Sequence, residues 1–335
     1  MKKRRVTLQA VAERAGVNRV TAAVALGKSP QGGTRVSAAT RLRVEAAAQE
    51  LGYAPNALAQ ALRGERTNII GYYAGYETLD AHSPFTAAIL QGLQRSCRAY
   101  NQDLLLFGSF LRDTVDNIYA TLISGKIDGL VLLPTPNSPV MDRLFDSHLP
   151  VVAIANSHPG APSVTVDDAA GSAMIAEYLA RQGHRHILYR IQGELRTSAK
   201  ERQVAFYTTA QQLGLRVTLT CEGDVHHALT PEEIAILQQP AHARPTAAVC
   251  WMDISAYVLL EHCERMGMRV PDDLAIMGYD GVPFSIKPER KLSTVAAPWV
   301  DVAAQAVTYL QWLLEGKEVP MHTVLPVQLS LGDTA

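Results

Sequence analysis

Three short stretches of apolar positions at helical spacing open the chain. Thr7 stands before Leu8, Val11 and Ala12, which share one face of a helix, and Gly16 ends the pattern after Ala15. Asn18 can cap a second helix, Arg19 to Leu26, with Val20, Ala23 and Val24 among its apolar or small residues. Ser37 can cap a third, with Val44, Ala47, Ala48 and Leu51 inward and Gly52 as its stop. Helix, tight turn, helix is the geometry that sets a second helix in a DNA major groove. Further on, Pro55 breaks the third pattern, and Asn56 can cap a short helix, Ala57 to Arg63, closed by Gly64. That helix is far shorter than the ~12–15 residues an isolated helix needs in water.

From Asn68 the period changes. Ile69–Tyr73, Leu104–Phe107, Leu130–Leu133 and Val151–Ile154 read as buried strands, separated by helices over Phe85–Tyr100, Val115–Ser124 and Val140–Asp146. A second set follows. Its helices are Ala169–Gln182, Ala199–Leu213, Pro231–Gln239 and Ile254–Met266, and its strands Ile187–Ile191, Val217–Cys221, Ala247–Cys250 and Leu274–Met277. Strands alternating with helices predict parallel sheets with helices on both faces. Two sets predict two lobes, with a ligand between them at the strand carboxyl ends. The expected fold is thus a small all-α helix-turn-helix domain over residues 1–53, a short helix and linker over 54–67, and a two-lobed α/β domain over 68–335.

Charge sharpens that division. Net charge is −1, but residues 1–66 hold 12 Lys and Arg against 4 Asp and Glu, while the remainder holds 19 against 28. A basic head on an acidic body suggests that the head meets a polyanion. There is no run of about 18 apolar residues, so no membrane span is expected. The basic start, Met1 to Arg5, is followed by no apolar core, so a signal peptide is not expected and the cytoplasm is. Cys97, Cys221, Cys250 and Cys263 are scattered and read as buried, reduced thiols. Phosphate-loop, dinucleotide, metalloprotease and nucleophile-elbow motifs are absent. His184 and His186 flank Arg185 at a helix end, and His226-His227 falls in a loop, with no ligand cluster. No enzyme activity, cofactor or metal is expected.

The wording of the head is more specific than its periodicity. Thr7-Leu8-Gln9-Ala10-Val11-Ala12-Glu13-Arg14-Ala15-Gly16-Val17-Asn18 resembles the opening of the lac-repressor (LacI/GalR-type) family. Val36 to Arg41 and Leu51-Gly52-Tyr53-Ala54-Pro55-Asn56-Ala57-Leu58-Ala59 continue the resemblance in order. In the body it extends through Ser83-Pro84-Phe85, Lys126 to Leu132, Gln182 to Ile187, Val270 to Asp280 and Leu292 to Val295. The resemblance implies a ligand-responsive repressor with a periplasmic-binding-protein-like body. Its partners would be a palindromic double-stranded operator, a second copy of the chain and a sugar or nucleoside effector.

The resemblance also implies site residues. On DNA these are Thr7, Leu8, Asn18, Arg19, Val20, Thr21, Ser37 and Thr40 in the head. Tyr53, Asn56, Ala59 and Leu62 would serve a hinge that orders on DNA and wedges Leu62 into the minor groove. For the effector they are Phe85, Ser198, Arg202, Asp253, Asp280 and Trp299. Arg19 suits a guanine edge or a phosphate. Arg202 and Asp280 are expected to grip the ligand rather than form a structural ion pair. Asp253 suits a helix N-cap better than a ligand contact, and Trp299 suits either a pocket wall or the core.

Several positions depart from the family. Val24 stands where an Arg usually reads a base, and Gly27 to Arg35 is a longer, Gly- and Pro-containing loop. Ala155, Met252 and Val225 stand where polar or aromatic pocket residues are usual. That weaker grip points to a ligand less hydroxylated than a simple hexose, or to a weak or lost response. Release by a sugar-like inducer is favoured over corepression or a protein partner; a free periplasmic solute-binding protein is the rival class. The segment Leu325–Ala335 carries no leucine heptads, so a dimer is expected over a tetramer.

Overall fold

Thr7, Asn18 and Ser37 each cap a helix in the computed structural model, as their positions before apolar stripes predict. The structure describes residues 6–26, 36–53, 66–75, 83–108, 113–193, 196–223, 227–282 and 290–335. The chain divides into two units, Met1–Thr67 and Asn68–Ala335. In the first, α1 (Leu8–Ala15), α2 (Arg19–Ala25) and α3 (Ala38–Leu51) pack around Val11, Ala12, Ala22, Ala25, Val44 and Ala47. Gly16, at φ 65°, supplies the left-handed turn that ends α1 and lets α2 begin three residues later.

The second unit holds two parallel sheets. The strands of the first are β1 (Ile69–Tyr73), β2 (Asp103–Phe107), β3 (Gly129–Leu132), β4 (Val151–Ile154), β5 (Ser163–Val166) and β11 (His322–Leu325), in the order β11-β5-β4-β3-β1-β2. Those of the second are β6 (His186–Ile191), β7 (Arg216–Cys221), β8 (Ala247–Cys250), β9 (Ala275–Asp280), β10 (Ser293–Ala296) and β12 (Gln328–Ser330), in the order β12-β10-β9-β8-β6-β7. Among the described strands every pairing is parallel except β10 with β12.

Helices α4 (Pro84–Ala99), α5 (Val115–Leu122) and α6 (Pro139–Phe145) connect the first set. Helices α7 (Asp168–Arg181), α8 (Thr197–Gln212), α9 (Pro231–Leu237) and α10 (Asp253–Arg265) connect the second, and α11 (Trp299–Leu314) returns the chain to the first lobe. There α11 lies so close to α4 that a Cβ on Gly92 would collide with the Val300 carbonyl oxygen. Leu93 and Ile89 on α4 and Val302, Ala306 and Leu310 on α11 belong to one buried core with strand residues of both sheets. Smaller clusters cover the other face of each lobe, around Leu130 and Leu144 in the first and Leu259 and Ile276 in the second.

Several sequence expectations need correction. Leu104–Phe107 is not a buried strand: β2 is the sheet's edge, and its residues from Asp103 run exposed, half-buried, half-buried, exposed and buried. The strand expected over Leu274–Met277 is β9, which begins at Ala275 and runs on to Asp280, so Asp280 is its last residue rather than one beyond it. Short strands β5, β11 and β12 are additional; each has only three or four residues, too few to show a period. Cys97, Cys250 and Cys263 are buried, but Cys221, on edge strand β7, is exposed.

Candidate functional site

In the head, α2 buries Ala22 and Ala25 and turns Asn18, Arg19 and Val20 outward. Val20 is 61 % exposed, an apolar side chain that the head leaves in solvent beside a cation. The side-chain oxygens of Thr7, Asn18 and Ser37 accept from the amides of Ala10, Thr21 and Thr40, at 3.2, 2.7 and 3.2 Å. Their cap role is therefore settled by local geometry. Thr21 and Thr40 are half-buried. Arg41 donates to the Ala25 carbonyl at 3.1 Å, fastening α3 to the end of α2. The Leu8 side chain is buried in the head core. Tyr53 is half-buried against the same core. Asn56, Ala59, Leu62 and Val225 lie outside the described residues.

In the body, both sheets reverse their strand order beside the first strand of each lobe, at β1/β3 and at β6/β8. Ligands of open parallel sheets sit at such points, outside the strand carboxyl ends. A cavity of about 270 Å³ opens there. From the first lobe it is lined by Tyr72 on β1, Leu133 past β3, and Ala155 and Asn156 past β4. From the second it is lined by Gln192 past β6, Trp251 and Met252 past β8, and Asp280 closing β9. The first turns of α4, α8 and α11 add Phe85, Ser198 and Trp299. Phe85 and Trp299 meet edge to face, ring centroids 4.9 Å apart.

Arg202 lines this cavity, yet most of its guanidinium is used internally. Nε donates to Asp168 at 2.6 Å, and Nη1 donates to the Trp251 carbonyl at 2.8 Å and to Asp280 at 3.5 Å. The guanidinium carbon also lies 3.7 Å from the Tyr279 ring centroid. Burial raises the pKa of the Asp168 carboxyl, with Arg202 opposing. Burial likewise pushes Asp280 up to about 8, against the pull of Arg202 and aided by Asp253 and Asp168. Asp280 sits at φ 125°, in backbone space that L residues rarely adopt. Burial thus biases this carboxyl toward its protonated form, in which it offers a ligand both a donor and an acceptor.

Asp253 is not an N-cap and does not line the cavity. Met252 occupies the cap position, and β8 ends at Cys250. The Asp253 carboxylate instead accepts from the Thr294 hydroxyl at 2.5 Å and the Val282 amide at 3.1 Å. Burial pushes its pKa up to about 6, against those hydrogen bonds. Trp299 is both cavity wall and core.

Sequence reasoning missed Asn156, Asp168, His227 and Trp251. Trp251 directly follows a strand of the second set, which was signal enough. Asp168 gave none, because its partner Arg202 is 34 positions away. His184 and His186 bond Thr246 and Thr218 at 2.9 and 2.8 Å. Among the described residues no cluster of His, Cys, Asp and Glu is placed to hold a metal, and no helix is long and apolar enough to cross a membrane.

A basic helix-turn-helix head joined to a two-lobed α/β body with a ligand-sized cleft defines a bacterial DNA-binding regulator. Residues 7–56 match bacterial regulatory proteins of the lacI family, and residues 176–335 match the periplasmic binding protein-like domain. The HTH-type transcriptional repressor PurR of Erwinia tasmaniensis is 30% identical over 331 residues, covering 95% of this chain and 93% of that protein. The chain belongs to the LacI family. The HTH-type transcriptional regulator GntR of Escherichia coli is 27% identical, covering 100% of this chain and 98% of that one. The lac repressor dimer, solved on its operator with the anti-inducer ONPF, shares the fold at TM-score 0.81 and 23% identity over 99% of each chain.

Proposed function

We propose that the protein is a cytoplasmic, homodimeric repressor that binds a palindromic operator and leaves it when a small sugar-like effector enters the cavity. The head supplies the DNA-reading surface through Asn18, Arg19, Val20 and Thr21, with Thr7, Ser37 and Thr40 at helix starts that suit phosphate. Tyr53, Asn56, Ala59 and Leu62 serve the hinge. Phe85, Ser198, Arg202, Asp280 and Trp299 serve the effector, with Asp253 behind Asp280 as a support.

The observation that carries this reading is the cavity itself, built from both lobes at their strand carboxyl ends. A ligand there touches both lobes, so it binds their possible arrangements unequally and shifts the balance between them. At about 270 Å³ it is smaller than the ~300–1,000 Å³ of drug-sized pockets, and suits a single ring with its substituents. Its walls mix ring and aliphatic surface from Phe85, Leu133, Trp251 and Trp299 with polar side chains such as Ser83, Thr86, Asn156 and Gln192, which suits a ring carrying a few polar substituents. Among the described residues lining the cavity, none is arranged as a nucleophile beside a base, which supports binding without turnover.

In-vitro selection of DNA on the full-length protein tests the first half. Enrichment of a palindrome is expected, and an unenriched pool would sink the operator reading. Titrating the selected duplex complex with candidate effectors tests the second half. Release supports induction, whereas tightening would put corepression in its place.

A further inference from the structure

One buried carboxylate holds two rings of the cavity wall. Glu222, with 2 % of its side chain exposed, does not line the cavity. Its Oε1 accepts from His227 Nδ1 at 2.6 Å and from Trp251 Nε1 at 2.8 Å, and its Oε2 from the Ser255 hydroxyl at 2.5 Å. Both rings do line the cavity, with centroids 6.3 Å apart and planes at 50°. Their backbones are pinned as well. The Trp251 carbonyl accepts from Arg202, and the His227 carbonyl from Arg190 at 3.2 Å, with His227 held at φ 56°.

The charges explain why Glu222 serves the rings. Arg190, fully buried, is paired through Nε and Nη2 with Glu233 at 2.6 and 3.3 Å and lies 3.9 Å from Glu222. Glu222 is therefore near a cation without spending its oxygens on it. Burial works to raise its pKa, but hydrogen bonds from His227, Ser255 and Trp251 prevail and lower it. An ionised Glu222 only accepts, so the 2.6 Å bond requires a proton on His227 Nδ1; in the neutral form of the ring the lone pair is then on Nε2.

We propose that Glu222 is a positioning residue that fixes Trp251 and His227 as a rigid ring wall and thereby selects a ring-shaped ligand of monosaccharide or nucleobase size. Rings already locked lose little freedom when a flat face packs on them, and a fixed Nε2 acceptor orients a ligand hydroxyl or N–H. The inference rests on the cavity being the effector site.

The test uses full-length protein and calorimetric titration with cyclic D-glucose, D-galactose, D-ribose, hypoxanthine and adenosine, beside acyclic D-sorbitol and D-gluconate. A cyclic compound is expected to bind and to quench tryptophan emission. Glu222→Gln and Trp251→Phe should each weaken it at least tenfold, and Asp280→Asn should weaken it too. Trp251→Phe keeps an aromatic ring but loses the N–H and part of the indole face, so it is read together with the His227 tautomer, which reports on the anchor even if Glu222→Gln binds poorly. In ¹⁵N-labelled ligand-free protein, the His227 nitrogen shifts should mark a single Nδ1–H tautomer that becomes mixed in Glu222→Gln. A single tautomer in both proteins would overturn the positioning role. Loss of binding on Asp280→Asn alone, or binding only of acyclic compounds, overturns the ring wall and leaves the effector cavity standing. Binding indifferent to all three substitutions, or by no compound of the panel, overturns both.

Discussion

The Oδ1 atom of Asn156 accepts from both the amide and the hydroxyl of Ser198, at 3.1 and 2.9 Å, and so ties the end of β4 in one lobe to the first turn of α8 in the other. Ala155, at φ 62°, makes the backbone bend just before it, and Asn156 is buried. These bonds lengthen if the lobes part. Each contributes about 0.5–1.5 kcal/mol net, enough together to move a two-state balance by roughly 5- to 150-fold. Asn156→Ala is expected to enlarge the ligand-free protein in small-angle scattering. An unchanged scattering profile would show that the lobes are held by other contacts.

Asp280 makes stability depend on pH in the direction opposite to a salt-bridged acid. Its folded pKa of about 8 lies above its ordinary value of 3.8, so the folded state holds a proton that the unfolded state has lost. Stability therefore falls as pH rises between those values, and the loss is complete above the upper one. Asp253, pushed up to about 6, adds a loss of the same sign over the lower part of that window. Melting temperatures from pH 5 to pH 9 should decline, and Asp280→Asn should decline less between pH 6 and pH 9. Parallel curves for the two proteins would mean that Asp280 is ionised throughout.

The helical caps and the alternation of strands and helices were legible because each depends on neighbours in sequence. Thr7, Asn18 and Ser37 act three residues away, and β1, β4 and β8 are apolar runs of four or five residues. Strands β5, β11 and β12 were not legible, because what makes them strands is pairing: β11 pairs with β5 across more than 150 residues. Arg202 and Asp280 were found, but not the company they keep. Asp168 and Asn156 meet their partners only through the fold, as Glu222 meets Trp251.

Arg19 is the exposed cation at the start of α2, and its role on DNA can be read from two numbers. If it binds phosphate, Arg19→Ala should weaken every sequence alike and reduce the slope of log affinity against log salt by about one contact's share, roughly 0.9. If it reads a guanine, the loss should be about 1–3 kcal/mol and fall on one base pair of the selected site. Binding arrays at several salt concentrations separate the two. No effect in either would remove Arg19 from the interface.

Arg202 invites a misleading experiment. The obvious substitution, Arg202→Ala, would abolish ligand binding whether or not Arg202 touches the ligand. It strands Asp168, whose side chain is 1 % exposed, without the cation 2.6 Å away, and removes the bond that holds the Trp251 carbonyl. Stranding one member of a buried ion pair costs about 3–5 kcal/mol. A double-mutant cycle avoids this trap. Arg202→Met keeps an unbranched stem over Tyr279 and should lose about that much stability by urea unfolding. Asp168→Asn in the same chain removes the stranded charge and should recover part of the loss, giving a coupling of roughly 0.5–3 kcal/mol. If the double variant is stable and still binds the effector, Arg202 serves only to neutralise Asp168. If it is stable and binding is lost, Arg202 is needed at the cavity itself, through the Trp251 carbonyl that it holds or through the ligand. Recovery of no stability at all would mean that Asp168 and Arg202 are not coupled, contrary to their 2.6 Å bond.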